Sequence, residues 1–355
     1  MAERTLPVHR RGTPWLFVAL LAAMIGAIAC AFVLVRQSPP ENPRPPLAAM
    51  ATVVVSPEAQ SGITGIFIQP GDGRRPILDE IDAATQSIDL EIYIVSDDEI
   101  LTALESAQAR GVAVRVLLEE HPYGGGGGQQ GIFDRLQAAG IDVRWSNPAF
   151  RFSHIKMMVI DQELVIIMNQ NLTTSSFTGN RELGVVTTNP DAVGAASAIF
   201  AADWAQEAEP PPGPLVVSPT NARESLQSLI EGAQTSVDVY AEVLRDPDLL
   251  QALEAAAQRG VTVRVIISPS ASFDSERASL ADAGVQVRLL RSLYVHAKMI
   301  MVDGRRAFVG SQNISTTSLD QNRELGIIVS DPVSLARLSR VFDIDFAAAT
   351  PQEAP

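Results

Sequence analysis

Apolar positions along this chain fall into three kinds of run, and each predicts a different element. Short β-branched runs, VAVRVLL at 112–118 and VTVRVII at 261–267, read as buried strands. Before each of them Leu and Ala recur at helical spacing, over Ile100 to Ala109 and Leu249 to Gln258, and Gly111 and Gly260 stand where a helix C-cap is wanted. Apolar strands lead into these helices at Asp89 to Val95 and Asp238 to Val243. Second amphipathic helices, Phe133 to Ala139 and Ser275 to Ala283, follow and end at Gly140 and Gly284. Further on, KMIMVDGRRAFVGS has apolar runs on either side of Asp303-Gly304, a strong hairpin signal. KMMVIDQELVIIMN keeps the shape with Gln162-Glu163 in the bend. The third kind of run is unbroken: Trp15 to Val35 gives 21 uncharged residues between arginines, enough to cross a bilayer as a helix.

The paired runs are copies of one another. SIDLEIYIVSDDEILTALESAQARGVAVRVLL at 87–118 aligns with SVDVYAEVLRDPDLLQALEAAAQRGVTVRVII at 236–267 at a constant offset of 149. From His154 to Gly184 the partner lies 142 ahead, the difference coming mostly from HPYGGGGGQQ in the first copy. The fold class expected is α/β: two duplicated α/β halves with mixed sheets flanked by helices, plus one N-terminal transmembrane helix. The unbroken apolar run and two proline-dense breaks set the boundaries. They give a cytoplasmic N-terminus at 1–14, an anchor at 15–35, a tether at 36–50, a first half at 51–208, a linker at 209–214 and a second half at 215–350.

A cleaved secretory signal competes with the anchor reading, since Ala27-Ile28-Ala29 resembles a cleavage site, but the apolar run continues past Cys30. Arg10 and Arg11 favour a cytoplasmic N-terminus, with the bulk of the protein outside a cell membrane crossed once. Cys30 is the only cysteine, so no intramolecular disulfide supports the fold. The net charge is −14, and because residues 1–36 are net positive, the remainder sits near −17. Such a body repels polyanions, so no long nucleic acid is expected as a partner.

Lysine changes this picture. Among 27 Lys and Arg residues it occurs only at Lys156 and Lys298, each two places after a histidine, His154 and His296, and five before an aspartate, Asp161 and Asp303. On a strand, side chains at i and i+2 share a face, so each copy presents an imidazole beside an ammonium. Lysine suits a phosphoryl oxygen, and histidine trades a proton near neutral pH. A lone pair of this kind is most often a satisfied core histidine beside an exposed lysine; two matched copies argue otherwise.

These residues resemble the phospholipase D superfamily, whose signature is H-x-K-x4-D followed by G-S-x-x-N. The second copy matches at His296, Lys298, Asp303, Gly310, Ser311 and Asn313; the first matches at His154, Lys156, Asp161 and Asn171, but has Met168-Asn169 in place of Gly-Ser. NRELG supplies the downstream acid of the family at Glu182 and Glu324. The resemblance covers roughly residues 55–345. It implies a pseudo-two-fold arrangement with one phosphodiester-cleaving site between the halves, His154 attacking phosphorus and His296 serving as acid and base. Lys156, Lys298, Asn171 and Asn313 would hold the non-bridging oxygens, and Glu182 and Glu324 would orient the imidazoles. Asp161 and Asp303 read as structural, fixing turn backbone, and Ser311 as supporting. No cofactor and no metal are implied. His121 and His9 have no matched partner and are left out of the site, and the Gly124–Gly128 tract lacks the Lys-Ser or Lys-Thr of a nucleotide loop.

The leading expectation is a phospholipase D type enzyme at the membrane, acting on a phospholipid head-group diester by hydrolysis or by transfer to an alcohol. A metal-independent nuclease of the same superfamily is the alternative. A reading of another class, an inactive extracytoplasmic binding or scaffolding protein, rests on Met168-Asn169. Two motifs in one chain make a monomer sufficient for a site.

Overall fold

The structure, a computed structural model, describes residues 62–123 and 129–352. The expected anchor and tether, Cys30 and the glycine tract lie outside the described residues, among which no helix is long and apolar enough to cross a membrane.

The first half runs β1 (Ile63–Gln69), α1 (Arg75–Ala83), β2 (Ser87–Ile92), α2 (Asp98–Ala109), β3 (Ala113–Leu118), α3 (Gln130–Ala138), β4 (Asp142–Trp145), β5 (Lys156–Ile160), β6 (Leu164–Met168), α4 (Thr174–Thr178), β7 (Asn180–Thr187) and α5 (Pro190–Ala205). The second runs β8 (Leu215–Ser218), α6 (Ala222–Glu231), β9 (Ser236–Tyr240), α7 (Pro247–Gln258), β10 (Thr262–Ile267), α8 (Asp274–Asp282), β11 (Gln286–Leu289), β12 (Tyr294–Val295), β13 (Met299–Val302), β14 (Arg306–Gly310), α9 (Thr316–Asp320), β15 (Glu324–Val329), α10 (Pro332–Ala348) and β16 (Thr350–Pro351). One sheet is ordered β1-β7-β6-β5-β2-β3-β4 and the other β8-β15-β14-β13-β9-β10-β11, with β16 added at its far edge. Both are mixed: β2, β3 and β4 are parallel, as are β9, β10 and β11, and the hairpin strands join them antiparallel.

Strands apolar on both faces need cover on both sides, and the packing supplies it. Met157 and Val159 of β5 point into a central core shared with Met299 and Met301 of β13, so the two sheets meet there. Phe200 of α5 and Phe342 of α10 belong to the same core. Met158 and Ile160 turn to the other face, where α1, α2 and α3 close the first half, and Ile300 and Val302 do the same in the second.

Matched polar devices recur in both halves. Asp97 and Asp246 cap α2 and α7 by accepting the N–H of Ile100 and Leu249, and each is also held by an arginine, Arg74 or Arg223. The helices therefore begin at Asp98 and Pro247, two residues earlier than the apolar spacing predicts.

In the β5–β6 hairpin the bend falls at Asp161-Gln162 (φ 53° and 57°) rather than at Gln162-Glu163, and it matches Asp303-Gly304 (φ 54° and 60°). Both pairs take the positive φ of a tight hairpin turn, which Gly304 adopts at no steric cost and Gln162 does not. The aspartates do more than turn. The Asp161 carboxylate accepts the backbone N–H groups of Thr85, Gln86 and Ser87 at 2.7–2.9 Å, and Asp303 those of Gln234, Thr235 and Ser236. Each pins the loop before the central strand to the hairpin beside it.

Burial pushes the Asp303 carboxyl up, but those N–H donors outweigh it and hold it at about 2. Because the folded value is depressed, the stabilisation is present above the unfolded value of about 4 and is lost as pH falls towards 2. Asp303→Ala is expected to destabilise the fold by about 2–3 kcal/mol at pH 7. Urea unfolding of wild type and variant at pH 7 and pH 2.5 checks this: the gap should narrow at the lower pH.

Candidate active site

Each histidine lies on an extended stretch that enters a strand, not in the strand itself. His154 sits two residues before β5, which Lys156 opens, and His296 and Lys298 both precede β13. The lysine amine folds back onto the carbonyl of its own histidine, Lys156 Nζ to His154 O at 2.8 Å and Lys298 Nζ to His296 O at 2.7 Å.

These stretches pair across the halves. Ser153 bridges Arg323 in parallel, and the His154 N–H donates to the Arg323 carbonyl at 2.8 Å. In the reciprocal place β12 runs parallel to β7, and the His296 N–H donates to the Arg181 carbonyl at 3.2 Å. Each Asn-Arg-Glu-Leu-Gly segment therefore lies along the histidine of the opposite half. His154 Nδ1 meets Glu324 Oε2 at 2.7 Å, and His296 Nδ1 meets Glu182 Oε2 at 2.8 Å.

Both glutamates are completely buried. Their other oxygens accept from the asparagine two residues earlier, Asn180 or Asn322, each at 3.0 Å, and Ser318 adds a bond to Glu324 at 2.6 Å. A carboxylate on Nδ1 fixes the tautomer with its proton there and leaves Nε2 for chemistry. The neighbouring arginines cross the same boundary. Arg181 forks onto Asp345, which also accepts the Tyr240 hydroxyl at 2.6 Å, and Arg323 binds Asp203 and Glu209 at 2.8 and 2.6 Å.

The two half-sites have different surroundings. Burial lowers His154 to about 4; Glu324 pulls the other way, while the charges of Lys156 and of Lys298 from the other half reinforce the fall. Burial likewise lowers Lys156 to about 7. His154 packs edge-on against the Tyr93 ring, which Lys156 also overlies at 5.0 Å. The residue that aligns with Tyr93 is Glu242, a carboxylate. Its Oε2 accepts from Lys298 at 2.6 Å and stands 3.5 Å from His296 Nε2, and its Oε1 accepts the Tyr294 hydroxyl at 3.1 Å. Burial would raise Glu242, but the charges of His296 and Lys298 outweigh it and hold the carboxyl far below its usual range.

Glu242 and Tyr93 escaped the sequence reading. The signal was there: in aligned copies, YIV is matched by EVL, a charge inside an otherwise apolar stretch.

The remaining expected residues separate into two groups. Asn171 and Asn313 are half-buried with their Oδ1 atoms unpartnered, and among the described hydrogen bonds none fixes either side-chain amide. Ser311 is fully buried and its hydroxyl accepts the Leu325 N–H at 3.0 Å. Asn169, in the matching place, accepts the Leu183 N–H at 2.9 Å and also donates to the carbonyls of Lys298 and Gly310 across the boundary. The departure at Met168-Asn169 thus keeps the serine's backbone hold and adds two inter-half bonds. Asp161 and Asp303 stand at the far ends of β5 and β13 from the histidines.

Residues 77–204 and 226–346 match the sequence family described as cardiolipin synthase, PLD-like domain. The chain belongs to the phospholipase D superfamily. Its similarity to curated superfamily members extends over most of its length. Cardiolipin synthase B of Salmonella typhimurium is 26% identical over 75% of this chain and 76% of that one, and the cardiolipin synthase of Geobacillus kaustophilus is 26% identical over 86% and 70%. Phospholipase D Y of Dictyostelium discoideum is 35% identical, but over only 31% of each chain. Among solved structures, the phosphatidylserine synthase of Haemophilus influenzae shares the fold with a TM-score of 0.62 at 13% identity, covering 81% of this chain and 87% of that one. A polyphosphate kinase from Porphyromonas gingivalis shares it with a TM-score of 0.66 at 17% identity, this chain spanning 49% of the kinase.

In this superfamily member the surroundings of His154 should be legible in its titration. His154 is expected to stay neutral until the pH falls to about 4. Glu324→Gln removes the carboxylate that favours its charged form, so the midpoint should fall further. Imidazole NMR titration of wild type and variant reads both.

Proposed function

We propose that this protein is a phospholipase D type enzyme that cleaves a phospholipid head-group phosphodiester and passes the phosphatidyl group to water or an alcohol. The observation that carries the reading is the pair of imidazoles, each fixed at Nδ1 by the buried carboxylate of the opposite half and each beside a buried lysine. Relatives named as cardiolipin synthases and a phospholipase D support a phospholipid substrate. The acidic body argues against long nucleic acid, and the apolar run at 15–35 would hold the site near a membrane, with the catalytic part outside the cytoplasm and one chain sufficient for a site.

The reaction balances in two displacements. His154 acts as the nucleophile, because burial keeps it neutral with a free Nε2 lone pair. A bond forms from that nitrogen to phosphorus, the phosphorus–oxygen bond to the head group breaks, and His296 gives its Nε2 proton to the departing oxygen. Water or an alcohol then attacks phosphorus, its proton passes to His296, and the nitrogen–phosphorus bond breaks. Lys156 and Lys298 carry the charge that grows on the non-bridging oxygens, and binding of that anion favours the charged form of Lys156. Asn171 and Asn313 have uncommitted amides to add donors.

The test uses the detergent-solubilised full chain with phosphatidylcholine, phosphatidylethanolamine or phosphatidylglycerol micelles, and separately with single- and double-stranded DNA. Head-group release, or a phosphatidyl-alcohol product when alcohol is added, is the expected result. His154→Ala and His296→Ala should each lower it by about 10³-fold or more. DNA cleavage without lipid turnover would replace this reading with the nuclease, and a labelled phosphoryl adduct on His296 would reverse the roles.

A further inference from the structure

The duplication gives two near-equal half-sites, yet one imidazole must attack while the other donates a proton. Something has to break the symmetry. The two copies differ beside the histidines at one aligned position, where Tyr93 faces His154 and Lys156 with an aromatic ring and Glu242 faces His296 and Lys298 with a carboxylate.

We infer that Glu242 is the positioning residue that commits His296 to the leaving-group side, by holding its Nε2–H in place for transfer to the departing oxygen. The inference rests on the phosphodiester reading above and deepens it. It follows from where the carboxylate sits. Glu182 occupies His296 Nδ1 at 2.8 Å, as Glu324 occupies the same atom of His154, so that contact cannot distinguish the two rings. Glu242 lies 3.5 Å from Nε2, the atom that would carry the transferred proton, and His154 has no carboxylate at its Nε2 among the described residues.

The other groups around His296 leave Glu242 as the distinguishing one. Lys298, on its own segment, is bonded to Glu242 at 2.6 Å. Tyr294 keeps its ring 6.3 Å away and gives its hydroxyl to Glu242 Oε1. From the other half come the His154 ring and Lys156, whose ammonium feels that of Lys298. With Lys298 tied to Glu242, Lys156 is the ammonium without a carboxylate bonded to it among the described residues. Anionic oxygen is thereby drawn towards the His154 side, and the bond that breaks is turned towards His296.

A residue that acts through proton donation matters in proportion to how badly the leaving group needs the proton. Soluble aryl methyl phosphodiesters separate this from a structural role, because p-nitrophenolate departs unaided while unsubstituted phenolate does not. With the full chain, Glu242→Gln is expected to lower kcat/KM for the phenyl ester by about 10- to 100-fold, through kcat, and for the p-nitrophenyl ester by less than about 3-fold. Glu242→Asp should restore most of the phenyl activity. Tyr294→Phe, a change at a half-exposed ring that frees the carboxylate's Oε1, should shift the ratio the same way by a smaller factor. Equal losses on both esters in Glu242→Gln, or an unchanged ratio in both Glu242→Gln and Tyr294→Phe, overturn the inference. A wild type that turns over aryl diesters but not phospholipid sinks the lipid reading alone and leaves the ratio to be read. A wild type inert on every diester sinks both.

Discussion

The structure depends on a reciprocal hydrogen bond: the buried glutamate of each half holds the histidine of the other. Neither half supplies the carboxylate at the Nδ1 of its own histidine, because Glu182 reaches His296 and Glu324 reaches His154. A carboxylate with no exposed surface is costly unless it is bonded on both oxygens, and each finds its second partner two residues away. Separating the sheets would strand two carboxylates and the forked arginines Arg181 and Arg323 behind them. Breaking one buried pair of this kind costs about 3–5 kcal/mol. The central apolar core between the sheets supplies driving force, while these pairs specify one register, since a shift along the contact would leave the charges unmatched.

How much of this was legible in the chain divides along a physical line. Elements set by local periodicity were readable: the β-branched runs at 112–118 and 261–267 form β3 and β10, and the glycines after α2 and α7 take positive φ as helix stops do. His154 and Lys156, with their copies, were readable because two lysines in an arginine-rich chain mark a chemical demand. What spacing could not yield was the crossing. Rules of i and i+2 describe one strand, whereas the partner of His154 is 170 residues away and belongs to the other copy. The bend at Asp161-Gln162 was misplaced by one residue because the Asp-Gly signal of the second copy is absent from the first.

Duplication also explains why the unlike positions are informative. Matched pairs such as Asp161 and Asp303, or Asp97 and Asp246, perform the same backbone task in both halves and so say nothing about chemistry. Asn169 and Ser311 differ in type but share a task, each accepting the N–H of the residue after the glutamate of its own half. Tyr93 and Glu242 share only a location. A ring and a carboxylate cannot give a neighbouring imidazole the same surroundings, so the electrostatic difference between the half-sites enters there.

One further unlike pair shows how far such drift can go without disturbing the frame. Tyr240 gives its phenolic proton to Asp345, the aspartate gripped by Arg181. The aligned residue in the first half is Glu91, beside Asp203, which Arg323 grips. An ionised glutamate there would repel the aspartate. Burial, reinforced by Asp203, pushes the Glu91 carboxyl up to about 8, so it carries a proton at neutral pH. A protonated carboxyl and a phenol are both neutral hydroxyl groups set beside an arginine-bound aspartate. The same place behind each arginine-bound aspartate is therefore filled by an uncharged group in both copies although the residue type differs.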